Sequence, residues 1–200
     1  MPDRGDETRR RLRAATVEVI LDRGWGGVTT RVVAERAGVR SGVVHYHFDS
    51  VDELRRAAVT HYLKQIFEPF IDMAAAMAPH DMVAAFVEAA TNDFAPGTET
   101  SNLLFEALPA GVRDDYLKAE LADVLGRFRT TVAAGIELHH PSPLAPPIVV
   151  AQLFTALMDG MLLHLMVMPD LDLSMHLEAF LQLLGPRSDE TKPDESKEAK

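Results

Sequence analysis

Proline and glycine punctuate this chain at intervals of helical length, and no run between them keeps the alternating apolar pattern of a strand, so the sequence is built to fold as helices. Near the N-terminus Leu12, Ala15, Thr16, Val19 and Ile20 recur at i, i+3, i+4, i+7 and i+8. That spacing predicts a helix from about Glu7 to Arg23 with one apolar face, stopped by Gly24. Thr29 or Thr30 can cap a short second helix ending near Ala37, Gly38 supplies the backbone freedom for a tight turn, and a third short helix is expected from about Arg40 to His47. The "SVDE" of Ser50 to Glu53 is a capping box that opens a long fourth helix, expected to bend at Pro69. Pro79, Pro96 with Gly97, Pro109 to Gly111, the run "PSPLAPP" and Pro169 then delimit helices near 80–94, 99–108, 112–138, 147–168 and 173–184. The expected fold class is all-α, with about nine helices and no internal repeat of the roughly 20 to 50 residues a solenoid requires.

Charge is segregated along the chain. Residues 1–64 hold 12 Lys and Arg against 9 Asp and Glu, residues 65–185 hold 4 against 16, and the whole carries a net charge of −10. A basic N-terminal third in an acidic chain points to a polyanionic partner for that end and a different task for the rest. The absence of cysteine excludes a disulfide framework, a thiolate metal site and a cysteine nucleophile, and it fits a reducing cytoplasm. The opening "MPDRGDETRRR" has charges where a signal peptide needs its apolar stretch. Ile148 to Met168 is apolar, but Asp159 would lie near mid-bilayer at a cost of about 2.5–3.5 kcal/mol, so a helix packed against protein is expected and no membrane partner. Residues 186–200, "PRSDETKPDESKEAK", mix both charge signs without a large aliphatic residue and are expected to be disordered.

The segment "TTRVVAERAGVRSGVVHYHFDS", Thr29 to Ser50, joins two short helices through one glycine behind a supporting amphipathic helix. That is the pattern of a helix-turn-helix, whose second helix can lie in a DNA major groove. Val33, Ala34, Ala37, Val39 and Val44 are its packing residues. Arg31, Arg40, Ser41, His45, Tyr46 and His47 remain polar and available to phosphates or base edges. A plain three-helix packing unit explains the same composition.

Thr29 to Leu54 resembles the DNA-binding signature of the TetR family of bacterial transcriptional regulators, on "TT", "AERAGV", Gly42, "YHF" ending at Phe48, and "EL" at 53 and 54. The run "LMDGMLLHLMVMPD" is similar to the penultimate helix of many members. The resemblance implies a homodimer that binds a pseudo-palindromic operator, with a helix-turn-helix domain at 1–50 and a helical effector-binding and dimerisation domain at 51–185. Arg31 would act near the start of the second helix, and Ser41, Gly42, Val43, His45, Tyr46 and His47 would lie on or beside the recognition helix. His45 replaces the family's usual tyrosine, Arg40 then Ser41 replaces serine then a basic residue, and Val51 replaces a lysine. Arg9, Arg10 and Arg11 are candidates for additional contact to the DNA backbone.

Other functions find little support. "GWGG" at 24–27 follows a helix instead of a strand, and neither a Walker A sequence nor a nucleophile elbow occurs, so no enzyme and no cofactor is expected. Glu137 with His140 has the spacing of one half of a carboxylate-bridged di-iron site, but a second such pair is missing, and no metal is expected. The competing non-enzymatic reading is an acidic helical binding or scaffolding protein that never touches DNA. For a small-molecule effector, the candidate contacts are Phe67, Phe70, Met73, Phe86, Phe105, Met158 and Met161, with Asn92, Glu106 and Asp159 as polar groups; filling a core explains the apolar ones as well or better. Few basic residues in this region favour a neutral or cationic lipophilic compound. Ala156 and Gly160 would let a partner helix approach closely, with Leu153, Leu157, Met161 and Leu165 as larger neighbours, which places the expected dimer contact near 147–184.

Overall fold

The computed structural model describes residues 4–75, 77–139 and 145–183. Its helices are α1 (Arg4–Arg23), α2 (Thr30–Arg36), α3 (Ser41–His47), α4 (Val51–Ala74), α5 (Pro79–Asn92), α6 (Glu99–Arg113), α7 (Asp115–His139), α8 (Pro147–Val167) and α9 (Leu173–Leu183). No strand occurs among the described residues, as the apolar periodicity predicts, and a single 3-10 turn at Trp25–Gly27 links α1 to α2. His140, the start of the proline-rich run and the tail from 184 onward, including 186–200, lie outside the described residues.

The described residues form two compact units, one within Met1–Pro69 and Pro96–Leu125, the other within Phe70–Ala95 and Gly126–Lys200. In the first, Leu12, Val19 and Ile20 of α1 meet Val33 and Ala34 of α2, Val44 and Phe48 around α3, Leu54 and Val59 of α4, Leu103 of α6 and Leu117 of α7. Thr16 interrupts the apolar face of α1 at no cost in unpaired groups, because its hydroxyl donates to the Leu12 carbonyl at 2.7 Å. In the second unit the core is Met82, Val83, Phe86 and Ala90 of α5, Val132 and Ile136 of α7, Val150, Ala151, Phe154, Met161 and Leu165 of α8, and Leu173 of α9.

One proline expectation needs revision. α6 does not end near Pro109 but runs to Arg113. The isolated cost of an interior proline is overridden by packing on both sides of it: Ala107 and Gly111 are buried, and a Cβ built on Gly111 would stand 2.6 Å from Leu121 Cδ1. α4 carries Pro69 in its interior and runs to Ala74. Its start follows the capping box, with Ser50 Oγ accepting from the Glu53 N–H at 3.0 Å, while the Glu53 carboxylate takes the Asp49 N–H at 2.7 Å, one residue before the partner the motif predicts.

Candidate nucleic-acid interface and ligand cavity

The turn between α2 and α3 is built by backbone chemistry that only glycine accepts readily. Gly38 has φ 65°, its N–H donates to Glu35 O at 3.1 Å, and the Val39 N–H donates to Ala34 O at 2.9 Å. These are the two bonds of a Schellman motif, and they fix the angle at which α3 leaves α2. Thr29 Oγ1 accepts from the Val32 N–H at 3.3 Å and starts α2.

α1 then clamps this corner. Arg11 Nη2 donates to the Ala37 carbonyl at 2.6 Å, so a backbone acceptor left over at the end of α2 is taken by a cation. Arg36 reaches Glu18 at 3.3 Å and Asp22 at 2.9 Å. Bonds to Glu18 and Asp22 raise the Arg36 pKa, and bonds from Arg23 and Arg36 lower that of Asp22. Arg9 sits 4.9 Å from the centre of the Phe48 ring and 3.9 Å from Glu53, and Arg10 binds Glu7 at 2.6 Å. The arginine run that reads as spare charge in the sequence therefore has partners inside its own unit. Arg13 is the most constrained: burial, then Arg9, lowers its pKa, its Nε is buried without a hydrogen-bond partner, and it helps burial lower the pKa of His61.

On α3, Val44 is buried, Val43 and His47 are half-buried, and Ser41, Gly42, His45 and Tyr46 are exposed; Arg40, its N-cap residue, and Arg31 on α2 are exposed as well. Val33, Ala34 and Ala37 are buried and Val39 is half-buried, as the packing pattern predicts. All eight candidate DNA-binding residues thus belong to one helix-turn-helix, with Val43 and His47 at the margin of its open face.

The loop before α2 is held from α6 and α4. Glu106 Oε2 accepts from the Trp25 N–H at 2.8 Å, and Arg55 donates to Val28 O at 2.8 Å while lying over the Trp25 ring. Arg56 pairs with Asp114 at 3.3 Å, and Asp114 Oδ1 also accepts from the Leu117 N–H at 3.0 Å. An open cleft of about 550 Å³ borders Trp25, Asp52, Phe105, Glu106, Arg113 and Asp114, whose carboxylates already serve these structural bonds.

The effector candidates separate between the two units. Phe67, Phe105 and Glu106 belong to the first, where Phe67 packs on the core and Glu106 holds Trp25. In the second, Phe70, Met73, Phe86 and Met158 line an apolar cavity of about 30 Å³, together with Met77, Met82, Phe128 and Phe154. Met161 is buried in the core but is not one of the lining residues, and Asn92 and Asp159 are exposed. Although the residue as a whole keeps open surface, desolvation of its carboxyl raises the Asp159 pKa, offset in part by the charge of Arg129. Two of the lining residues missed in the sequence had a usable signal: Met82 is an i, i+4 partner of Phe86 on α5, and Phe154 of Met158 on α8.

α8 is long and apolar enough to cross a membrane by length and composition, with 33% of its most apolar stretch buried within the chain. Its inner face carries Phe154, Met161 and Leu165, so the last two are core residues and not neighbours of an open seam. The opposite face exposes Val149, Leu153, Ala156, Leu163 and Val167, and a Cβ on Gly160 would meet no atom within 4 Å.

Residues 12–58 match the family described as bacterial regulatory proteins, tetR family. An uncharacterized HTH-type transcriptional regulator of Mycobacterium bovis is 26% identical over 129 residues, 64% of this chain and 66% of that protein, so the match spans just under two thirds of the relative. A TetR-family structure from Streptomyces coelicolor shares the fold with a TM-score of 0.67 at 23% identity, covering 90% of this chain and 99% of that one. A Saccharomonospora viridis protein in complex with choline does so with a TM-score of 0.72 at 18% identity, covering 88% and 96%. These likenesses favour a regulator over an acidic scaffold.

Proposed function

Because this chain belongs to the TetR family and is a transcriptional regulator with a DNA-binding helix-turn-helix, we propose that it is a cytoplasmic, ligand-responsive repressor that binds a pseudo-palindromic operator as a homodimer. Residues 1–50 serve as the DNA-binding head and 51–185 as the effector and dimerisation domain. The observation that carries DNA reading is the Schellman turn clamped by Arg11, which holds α3 with its polar face open in the basic third of an acidic chain. A second copy suits the outer face of α8, where Val149, Leu153, Leu163 and Val167 frame the small Ala156 and Gly160. A two-fold axis there gives two identical heads for two half-sites.

The effector site is the cavity of Phe70, Met73, Phe86 and Met158. Its lining of aromatic rings and thioethers suits a neutral or cationic lipophilic compound, and choline in the Saccharomonospora viridis protein is a small organic cation. At about 30 Å³ the cavity is far below the roughly 300–1,000 Å³ of ordinary ligand sites, so an effector has to open it. A ligand that binds only the opened state necessarily shifts the population toward it. The test is a thermal-shift screen followed by operator release. Compounds that raise the melting temperature are expected to weaken operator binding by about 1–3 kcal/mol. If every stabilising compound leaves operator affinity unchanged, the ligand-response reading is wrong.

A further inference from the structure

Val44 marks the buried side of α3, and at about 100° per residue the direction opposite it falls midway between Gly42 and Tyr46, with His45 on the far side of Gly42. Gly42 has no conformational reason to be glycine, since positive φ among the described glycines belongs to Gly24, Gly38 and Gly97. It has no packing reason either: a Cβ there would meet no atom within 4 Å. Glycine is a poor helix former, so the chain keeps it at the centre of the outward face against local propensity. Tyr46 beside it is 84% exposed and meets the His47 ring edge-on at 5.1 Å.

We propose, building on the regulator reading, that the DNA duplex approaches the α3 backbone at Gly42, and that His45 and Tyr46 are the two base readers of each half-site, His45 on guanine and Tyr46 on thymine. Ser41 to His47 contains no Lys or Arg, so the bidentate arginine–guanine contact is not available from the helix itself. Arg31 and Arg40, outside that stretch, are left for phosphates. An imidazole N–H entering the major groove finds two acceptors at guanine N7 and O6, whereas adenine sets an amino donor beside its N7, so His45 favours guanine. The Tyr46 ring offers an apolar surface to the thymine methyl.

Selection from random duplexes with the parent chain and with His45→Asn, Tyr46→Ala and Gly42→Ala tests the assignment, with melting temperature measured for each. His45→Asn is expected to exchange one G·C preference per half-site for A·T, because the asparagine amide pairs with adenine. Tyr46→Ala is expected to lose a nearby T·A preference. Gly42→Ala is expected to melt no lower than the parent yet bind the parent's operator at least tenfold more weakly. The assignment is overturned by a His45→Asn or Tyr46→Ala chain whose selected half-site keeps every base of the parent's, or by Gly42→Ala binding undiminished. A parent chain that selects no sequence at all overturns the regulator reading beneath it.

Discussion

Replacing Arg11 by methionine separates a structural clamp from a DNA contact. The substitution keeps much of the apolar stem and removes the guanidinium that donates to Ala37 O at 2.6 Å. A hydrogen bond from a charged group contributes about 1.5–3 kcal/mol, and because Arg11 is exposed enough for water to take over the carbonyl, the lower end applies, about 1.5 kcal/mol. At about 2–4 °C per kcal/mol for a chain of this size, Arg11→Met should melt about 3–6 °C lower. Its operator affinity should fall through a less rigid α3 while the slope of log affinity against log salt stays at the parent's value. A phosphate contact makes the opposite prediction: an unchanged melting temperature and a slope shallower by about 0.9 per head, nearly 2 per dimer. Differential scanning fluorimetry and salt-titrated fluorescence anisotropy read both quantities. An unchanged melting temperature with the shallower slope would refute the clamp.

Three further outcomes follow from the geometry. Leu153→Arg places a charge on the exposed α8 face, so it should leave helix content intact and give a monomer in sedimentation velocity; an unaltered dimer would move the contact elsewhere. Phe86→Ala, buried against Phe154 with ring centres 6.5 Å apart, should cost about 3–5 kcal/mol by denaturant titration and enlarge the cavity, so that a small aromatic hydrocarbon restores part of the loss. His61 has its folded pKa lowered by burial and then by Arg13, so the unfolded chain binds the proton more readily; stability should be complete above about pH 6.5 and decline as pH falls below it, a decline that His61→Gln should shrink.

The helix-turn-helix was legible because its determinants are local. Thr29, Gly38 and Ser50 each act within five residues of themselves, and the apolar spacing of α1 needs no knowledge of its partners. What escaped the sequence depends on distant chain. Glu106 reads as a ligand group until its bond to Trp25, 81 residues away, brings α6 into the same core as α1. Arg11 looks like one of three equivalent cations, and only the carbonyl 26 residues on singles it out. Pro109 carries a strong local stop signal that buried Ala107 and Gly111 override. Met161 and Leu165 share the composition of the open α8 stripe, but the helix turns them inward.

The most direct measurement of the central claim is the affinity and stoichiometry of the chain on an inverted repeat recovered from random duplexes, compared with the same duplex carrying one half-site scrambled. Two protomers per intact duplex, and a loss of at least a hundredfold when one half-site is scrambled, are the predicted results, because each head reads one groove and the two-fold joins them. Equal affinity for intact, scrambled and arbitrary duplexes would contradict the account.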